Sequence, residues 1–236
     1  MDKNTWVKID YWAKKLKALE FLGKKCSDCG ETNIFKLAFH HTNPMIKDAK
    51  INDLKYGRWS NIEREIMKCI LLCNNCHNKF HANQETKCKD DIFKNNKKIY
   101  LEFKGIFECE ECGYNENNSS LEFHHLSNDK DFILSEINVK YRNVNELTYE
   151  IKKELNKCIV LCRNCHIVKH TDTEFYKKYE KEILEKSNSL KEIQSKLDRD
   201  KVINLYNSGV TQIKIAEHFN AAKSTISNII KKYENK

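Results

Sequence analysis

The chain has 236 residues, 32% charged and 40% hydrophobic, with six Gly, one Pro and a formal net charge of +8. That describes a charged, helix-rich chain with small cores in one to three domains, and no run of eighteen apolar residues offers a membrane span. The start, MDKNTWVKIDYWAKKLK, lacks the apolar stretch and small-residue site of a signal peptide, so an intracellular protein with no membrane partner is expected.

Residues 9–22, IDYWAKKLKALEFL, set Ile9, Trp12, Leu16, Leu19 and Leu22 at helical spacing, which predicts an N-terminal helix on the domain that follows. Next comes a frame of ligand-type residues: Cys26-x-x-Cys29, then Phe39-His40-His41, then Cys73-x-x-Cys76-His77-x-x-x-His81. Residues 83–103 are polar, then apolar, and read as a linker that ends in a helix or strand. The frame then recurs as Cys109-x-x-Cys112, Phe123-His124-His125 and Cys162-x-x-Cys165-His166-x-x-x-His170. Its closing segments, LCNNCHNKFH and LCRNCHIVKH, start 89 residues apart; the middle loop differs by five residues and the stretch from the first CxxC to the His pair by one. The chain therefore contains a tandem duplication, with a first domain over 1–82 and a second over 104–171. Residues 172–197 read as a helical linker, with Phe175, Tyr179, Ile183, Leu190, Ile193 and Leu197 among Lys and Glu. A final domain occupies 198–236.

Eleven cysteines in a reducing compartment argue for metal rather than disulfides. Two CxxC pairs tens of residues apart form a four-thiolate zinc site by spacing. Cys26, Cys29, Cys73 and Cys76 are expected to hold one structural Zn²⁺, and Cys109, Cys112, Cys162 and Cys165 a second. Cys69 and Cys158 are expected to pack as small apolar residues in a strand. The histidines remain for other work. His77 and His81, like His166 and His170, are spaced i, i+4 and share a helix face. One imidazole from each His-His pair completes a three-His site with open positions, the pattern of a catalytic metal. Its neighbour in the pair is then available as a general base.

The frame FHH…KCILLCNNCHNKFH resembles the zinc-knuckled branch of the HNH (His-Asn-His) nucleases, with their ββα-metal motif, over about residues 20–82 and 103–171. The resemblance implies an α+β fold in which His40, His77 and His81 bind a catalytic divalent metal (Mg²⁺, Mn²⁺ or another transition metal) and His41 is the base. In the second repeat the ligands are His124, His166 and His170, and the base is His125. Where the family carries its middle Asn, this chain has Lys68 and Lys157. Arg64 and Arg163 are candidates for holding phosphate.

Near the C-terminus, VTQIKIAEHFNAAKSTISNIIKKY predicts a helix through Thr211–Phe219 with Ala216 inward, a turn at Asn220, and a second helix from Lys223 that buries Ile226 and Ile229. The segment resembles the helix-turn-helix of resolvases and invertases, and residues 199–236 carry seven Lys or Arg against three Asp or Glu. The second helix would offer Lys223, Ser224, Thr225, Ser227 and Asn228 to the major groove, with Lys231 and Lys232 near phosphates. The fold expected is two small zinc-bound ββα-metal domains followed by an all-α helix-turn-helix domain. The function expected is a one-metal, site-specific endonuclease acting on double-stranded DNA, homing-type or restriction, as a monomer or homodimer. Its setting would be the cytoplasm of a bacterial or phage-infected cell or another DNA-containing compartment. The rivals are a nicking enzyme with one active repeat and a zinc-dependent DNA-binding regulator that does not hydrolyse.

Overall fold

The computed structural model describes residues 2–42, 57–83, 92–190, 199–219, 221 and 223–234. Cys88, Ile193, Leu197 and the turn residue Asn220 lie outside the described residues. Within them the chain is mixed α+β, with eleven α-helices and two two-stranded sheets. They form two compact units, Met1–Asn188 and Ser189–Lys236.

The first unit contains one five-element pattern twice. Its first copy is α1 (Lys3–Phe21), β1 (Leu37–His41), α2 (Trp59–Ile66), β2 (Cys69–Cys73) and α3 (Asn74–Asn83). The second copy is α4 (Ile92–Lys104), β3 (Leu121–His125), α5 (Tyr149–Asn156), β4 (Cys158–Cys162) and α6 (Arg163–Lys169). Two further helices follow, α7 (Thr173–Lys178) and α8 (Glu180–Ser189). The duplication is thus longer than its cysteines and histidines indicate. Both leading helices run into the same frame, Leu19-Glu20-Phe21-Leu22-Gly23 and Leu101-Glu102-Phe103-Lys104-Gly105.

Each hairpin is antiparallel with the same register. Leu37 faces Cys73 and His41 faces Cys69 in one; Leu121 faces Cys162 and His125 faces Cys158 in the other. A two-stranded hairpin is marginal alone in water, so each is packed on its leading helix. Leu19 of α1 is buried with Leu37, Leu71 and Leu72. Leu101 of α4 is buried with Leu121, Val160 and Leu161. Most of the expected 83–103 linker is α4, and its Ile99 and Tyr100 join Tyr141, Leu147, Ile151 and Leu155 in a further core.

Helix α1 starts earlier than its apolar spacing suggests, because Asp2 caps it: the carboxylate accepts from the N–H groups of Asn4 and Thr5 at 2.9 and 3.0 Å. Its first half serves another core. Ile9, Trp12, Ala13 and Leu16 pack with Tyr176 of α7 and Ile183 of α8. Residues 173–188 are therefore docked on the first unit rather than spanning open space.

The second unit is a three-helix bundle of α9 (Arg199–Asn207), α10 (Gln212–His218) and α11 (Lys223–Glu234). Val202, Ile203, Ile215, Ala216, Ile226 and Ile230 form its core. Ala216 faces inward as expected, and Thr211 is the cap of α10, its hydroxyl accepting from Lys214 N–H at 3.5 Å. The fully buried partner of Ile226 is Ile230, one helical turn on, while Ile229 packs at the edge of that core.

Candidate metal centres

In each repeat the first CxxC lies in the turn between leading helix and hairpin, and the second spans the junction of strand and helix. Cys26 N–H donates to the Glu31 carbonyl and Gly30 N–H to the Cys26 carbonyl, at 2.8 and 3.0 Å. Cys109–Tyr114 and Gly113–Cys109 repeat these bonds at 2.9 and 2.8 Å. Gly30 and Gly113 close the turns at φ +77° and +72°, where a side chain would be strained. At the other pair, Cys73 Sγ accepts from Cys76 N–H at 3.4 Å, and Cys162 Sγ from Cys165 N–H at 3.5 Å.

The four sulfurs of each repeat lie within 4.8 Å of one another. Cys29 and Cys73 Sγ are 3.7 Å apart, as are Cys112 and Cys162 Sγ. That is too long for a disulfide and close to the edge, about 3.8 Å, of a tetrahedron with zinc–sulfur bonds of about 2.3 Å. Burial, with the crowding of neighbouring sulfurs, pushes the thiols of Cys76 and Cys165 well up. At Cys26, burial raises the thiol, but the backbone N–H groups of Cys29, Cys73 and Asp28 outweigh it and bring it down to about 7. A cation would relieve this crowding, and both sets fit zinc. Cys69 and Cys158 stand outside the clusters: they are buried, and their thiols donate to the Glu65 and Glu154 carbonyls at 3.4 and 3.5 Å.

The imidazoles also gather as expected. His40, His77 and His81 offer nitrogens within 4.8 Å of one another, and so do His124, His166 and His170. Ring centroids in the first trio are 5.0, 5.0 and 4.6 Å apart. In the second they are 5.2, 5.1 and 4.7 Å. His166 and His170 Nε2 are 3.1 Å apart, near the nitrogen–nitrogen edge, about 3.3 Å, of a tetrahedral ion with bonds of about 2 Å. Burial, then the charges of His81, His40 and Arg163, hold His77 down to about 4. Burial likewise lowers His40, His124 and His170. The donor sets fit a divalent transition ion.

His41 and His125 stand outside the trios. His41 Nε2 lies 2.6 Å from Glu65 Oε1, and His125 Nε2 lies 2.7 Å from Glu154 Oε1. The second carboxylate oxygen meets Lys68 or Lys157 Nζ, at 3.0 Å in each case. Glu65 and Glu154 are among the most buried charged side chains, 3% and 0% exposed. Burial raises Glu154, but Lys157, His125 and the Asp131 N–H outweigh it and hold the carboxyl below its usual range. These glutamates escape a search for ligand spacing. Their signal is a second shared frame, Glu65-x-x-Lys68-Cys69-Ile70-x-Leu72-Cys73 and Glu154-x-x-Lys157-Cys158-Ile159-x-Leu161-Cys162.

The repeats differ beside the imidazole trios. Glu122 accepts from His166 Nδ1 and from Arg163, whereas the matching position of β1 is Ala38. Arg163 is thus held by a carboxylate, and Arg64 bonds to the Ser60 carbonyl and Asn61 on its own helix. In the second unit, Lys223, Ser224, Asn228 and Lys231 of α11 are exposed and Ser227 is half-buried; the side chains of Thr225 and Lys232 lie outside the described residues. No family model, curated protein or solved structure matches this chain.

Proposed function

We propose that the chain is a metal-dependent DNA endonuclease of the HNH type, with a hydrolytic centre in each repeat and a DNA-reading second unit. The observation that carries this reading is the recurrence, in both repeats, of three clustered imidazoles beside a fourth that stands outside the cluster and is held by a buried carboxylate.

His40, His77 and His81, or His124, His166 and His170, would hold the ion. When bound, it supplies positive charge to the scissile phosphate and the leaving 3′ oxygen. An all-imidazole set favours a transition ion over Mg²⁺, which prefers oxygen. His41 or His125 takes a proton from water as the water oxygen bonds to phosphorus. The bond from phosphorus to the 3′ oxygen breaks, leaving a 5′ phosphate and a 3′ hydroxyl protonated from solvent. The thiolate clusters hold the hairpin, helix and preceding turn together. Helix α11 reads bases, since contacts to phosphate alone carry no sequence information.

A nicking enzyme is the second reading, favoured by the inequality of Glu122 and Ala38. Supercoiled plasmid incubated with the protein and Mn²⁺ or Mg²⁺ tests both. Linear product at early times supports two active centres, and open circle alone supports one. Unchanged plasmid under all metals would reject hydrolysis and leave the regulator.

A further inference from the structure

The carboxylates behind His41 and His125 have a job that metal binding and zinc stapling leave unassigned. An ionised carboxylate only accepts hydrogen bonds, so the proton between Glu65 and His41 belongs to Nε2, as does that between Glu154 and His125. Nδ1 is then the ring nitrogen left with a lone pair, and among the described residues neither Nδ1 has a hydrogen-bond partner. A buried carboxylate without partners is costly, and each of these meets the imidazole and a lysine, with the Asp131 N–H a further donor to Glu154 at 3.2 Å. The strand end is held in the same way in both copies. Thr42 N–H donates to the Lys68 carbonyl at 3.0 Å, and Leu126 N–H to the Lys157 carbonyl at 3.1 Å, so the residue after each histidine is tied to the lysine that grips the glutamate.

We propose that Glu65 and Glu154, each with its lysine, are positioning residues that fix His41 and His125 in the Nε2–H tautomer and present Nδ1 as the base. The carboxylate also faces the imidazolium that forms once the proton has moved, the part played by the orienting acid in hydrolytic triads. The pair Glu–Lys, supplied by the end of α2 or α5, does the bracing. This rests on the endonuclease reading for its purpose, but not for its geometry.

The test is made on the full-length protein loaded with zinc. Long-range ¹⁵N–¹H spectra of the imidazoles should show His41 and His125 with a protonated Nε2 and a bare Nδ1. Glu65→Ala should turn only His41 into a tautomer mixture, and Glu154→Ala only His125. If either ring keeps its tautomer without its glutamate, or starts in the other one, the proposal fails, whether or not the protein cuts DNA. Kinetics supply the second arm. Glu65→Gln should slow cleavage of one strand about 10²- to 10⁴-fold in kcat, with KM and zinc content unchanged and the other strand cut at the normal rate. Glu65→Asp keeps the charge and should retain more activity than the isosteric Gln. Gln at the wild-type rate, or Gln better than Asp, would make the glutamate a packing element and overturn the assignment.

Discussion

At the residue scale, the two imidazole trios differ in what stands behind them. In the second repeat, His166 Nδ1 donates to Glu122, which fixes the ring and would leave Nε2 for an ion. The first repeat has Ala38 there, and Arg163 adds positive charge near His77. A carboxylate behind a ligating histidine typically changes metal affinity about 10- to 100-fold. The second trio should therefore fill first. Titration of zinc-loaded protein with Co²⁺, followed by its visible absorption, should resolve two classes of imidazole site. Glu122→Ala should weaken the tighter class by about that factor and bring the two curves together. A single class in the wild type would show that Glu122 serves Arg163 rather than the metal ligand.

At the element scale, each repeat is a turn, a hairpin and a helix too small to bury a large core, so zinc on the four thiolates would act as its staple. Zinc in such a site contributes roughly 10–16 kcal/mol of apparent binding energy to folding. Cys73 lies where β2 meets α3 and is 1% exposed. Cys73→Ser should leave one zinc per chain and unfold the first repeat, while Cys69→Ala should keep both zincs. Elemental analysis with a thermal melt checks this; retention of both zincs by Cys73→Ser would contradict the four-thiolate reading. The ligand elements were legible because metals impose spacing on sequence. CxxC and HxxxH need residues at fixed intervals on one turn or one helix face, and Cys26 to His81 show them directly. Glu65 and Glu154 were not legible that way. Their role exists only once α2 and α5 fold back on the hairpin ends, so no local period announces it. Helix α4 was half-read as a linker for a related reason: its apolar face, Ile99 to Leu101, meets Leu121, Leu134 and Ile151 from far along the chain.

At the scale of the whole molecule, the second unit has its own core, and the first is held together across its repeats. Truncation after Leu197 should therefore keep both zincs and hydrolysis but lose most site preference, as a cleavage map on one long DNA would record. Loss of zinc would show that the first unit depends on the second. Across the repeats, Asn75 Oδ1 accepts from Asn164 N–H at 3.0 Å, and Asn164 Oδ1 accepts from Asn75 N–H at 3.2 Å. Both side chains are buried, in the first turns of α3 and α6, and Ser120 Oγ donates to the Asn75 carbonyl at 3.1 Å. A reciprocal contact between equivalent residues is the mark of a two-fold interface, here within one chain. The strands of a duplex are related by two-fold axes as well, so on the endonuclease reading a fixed local dyad would let one chain address both. Asn75→Ala leaves the Asn164 N–H buried without its acceptor, at a cost of roughly 1–3 kcal/mol, or about 2–12 °C in melting temperature for a unit of this size. Both zincs should remain, since neither asparagine touches a thiolate cluster through its side chain. With the dyad loosened, the two cuts should become independent, and open circle should accumulate before linear product. Asn74→Ala is the control, because Asn74 Nδ2 donates to the Lys36 carbonyl within the first repeat. A lower melting temperature with an unchanged ratio of linear to open-circle product would confine the asparagine pair to stability and remove it from the cutting of two strands.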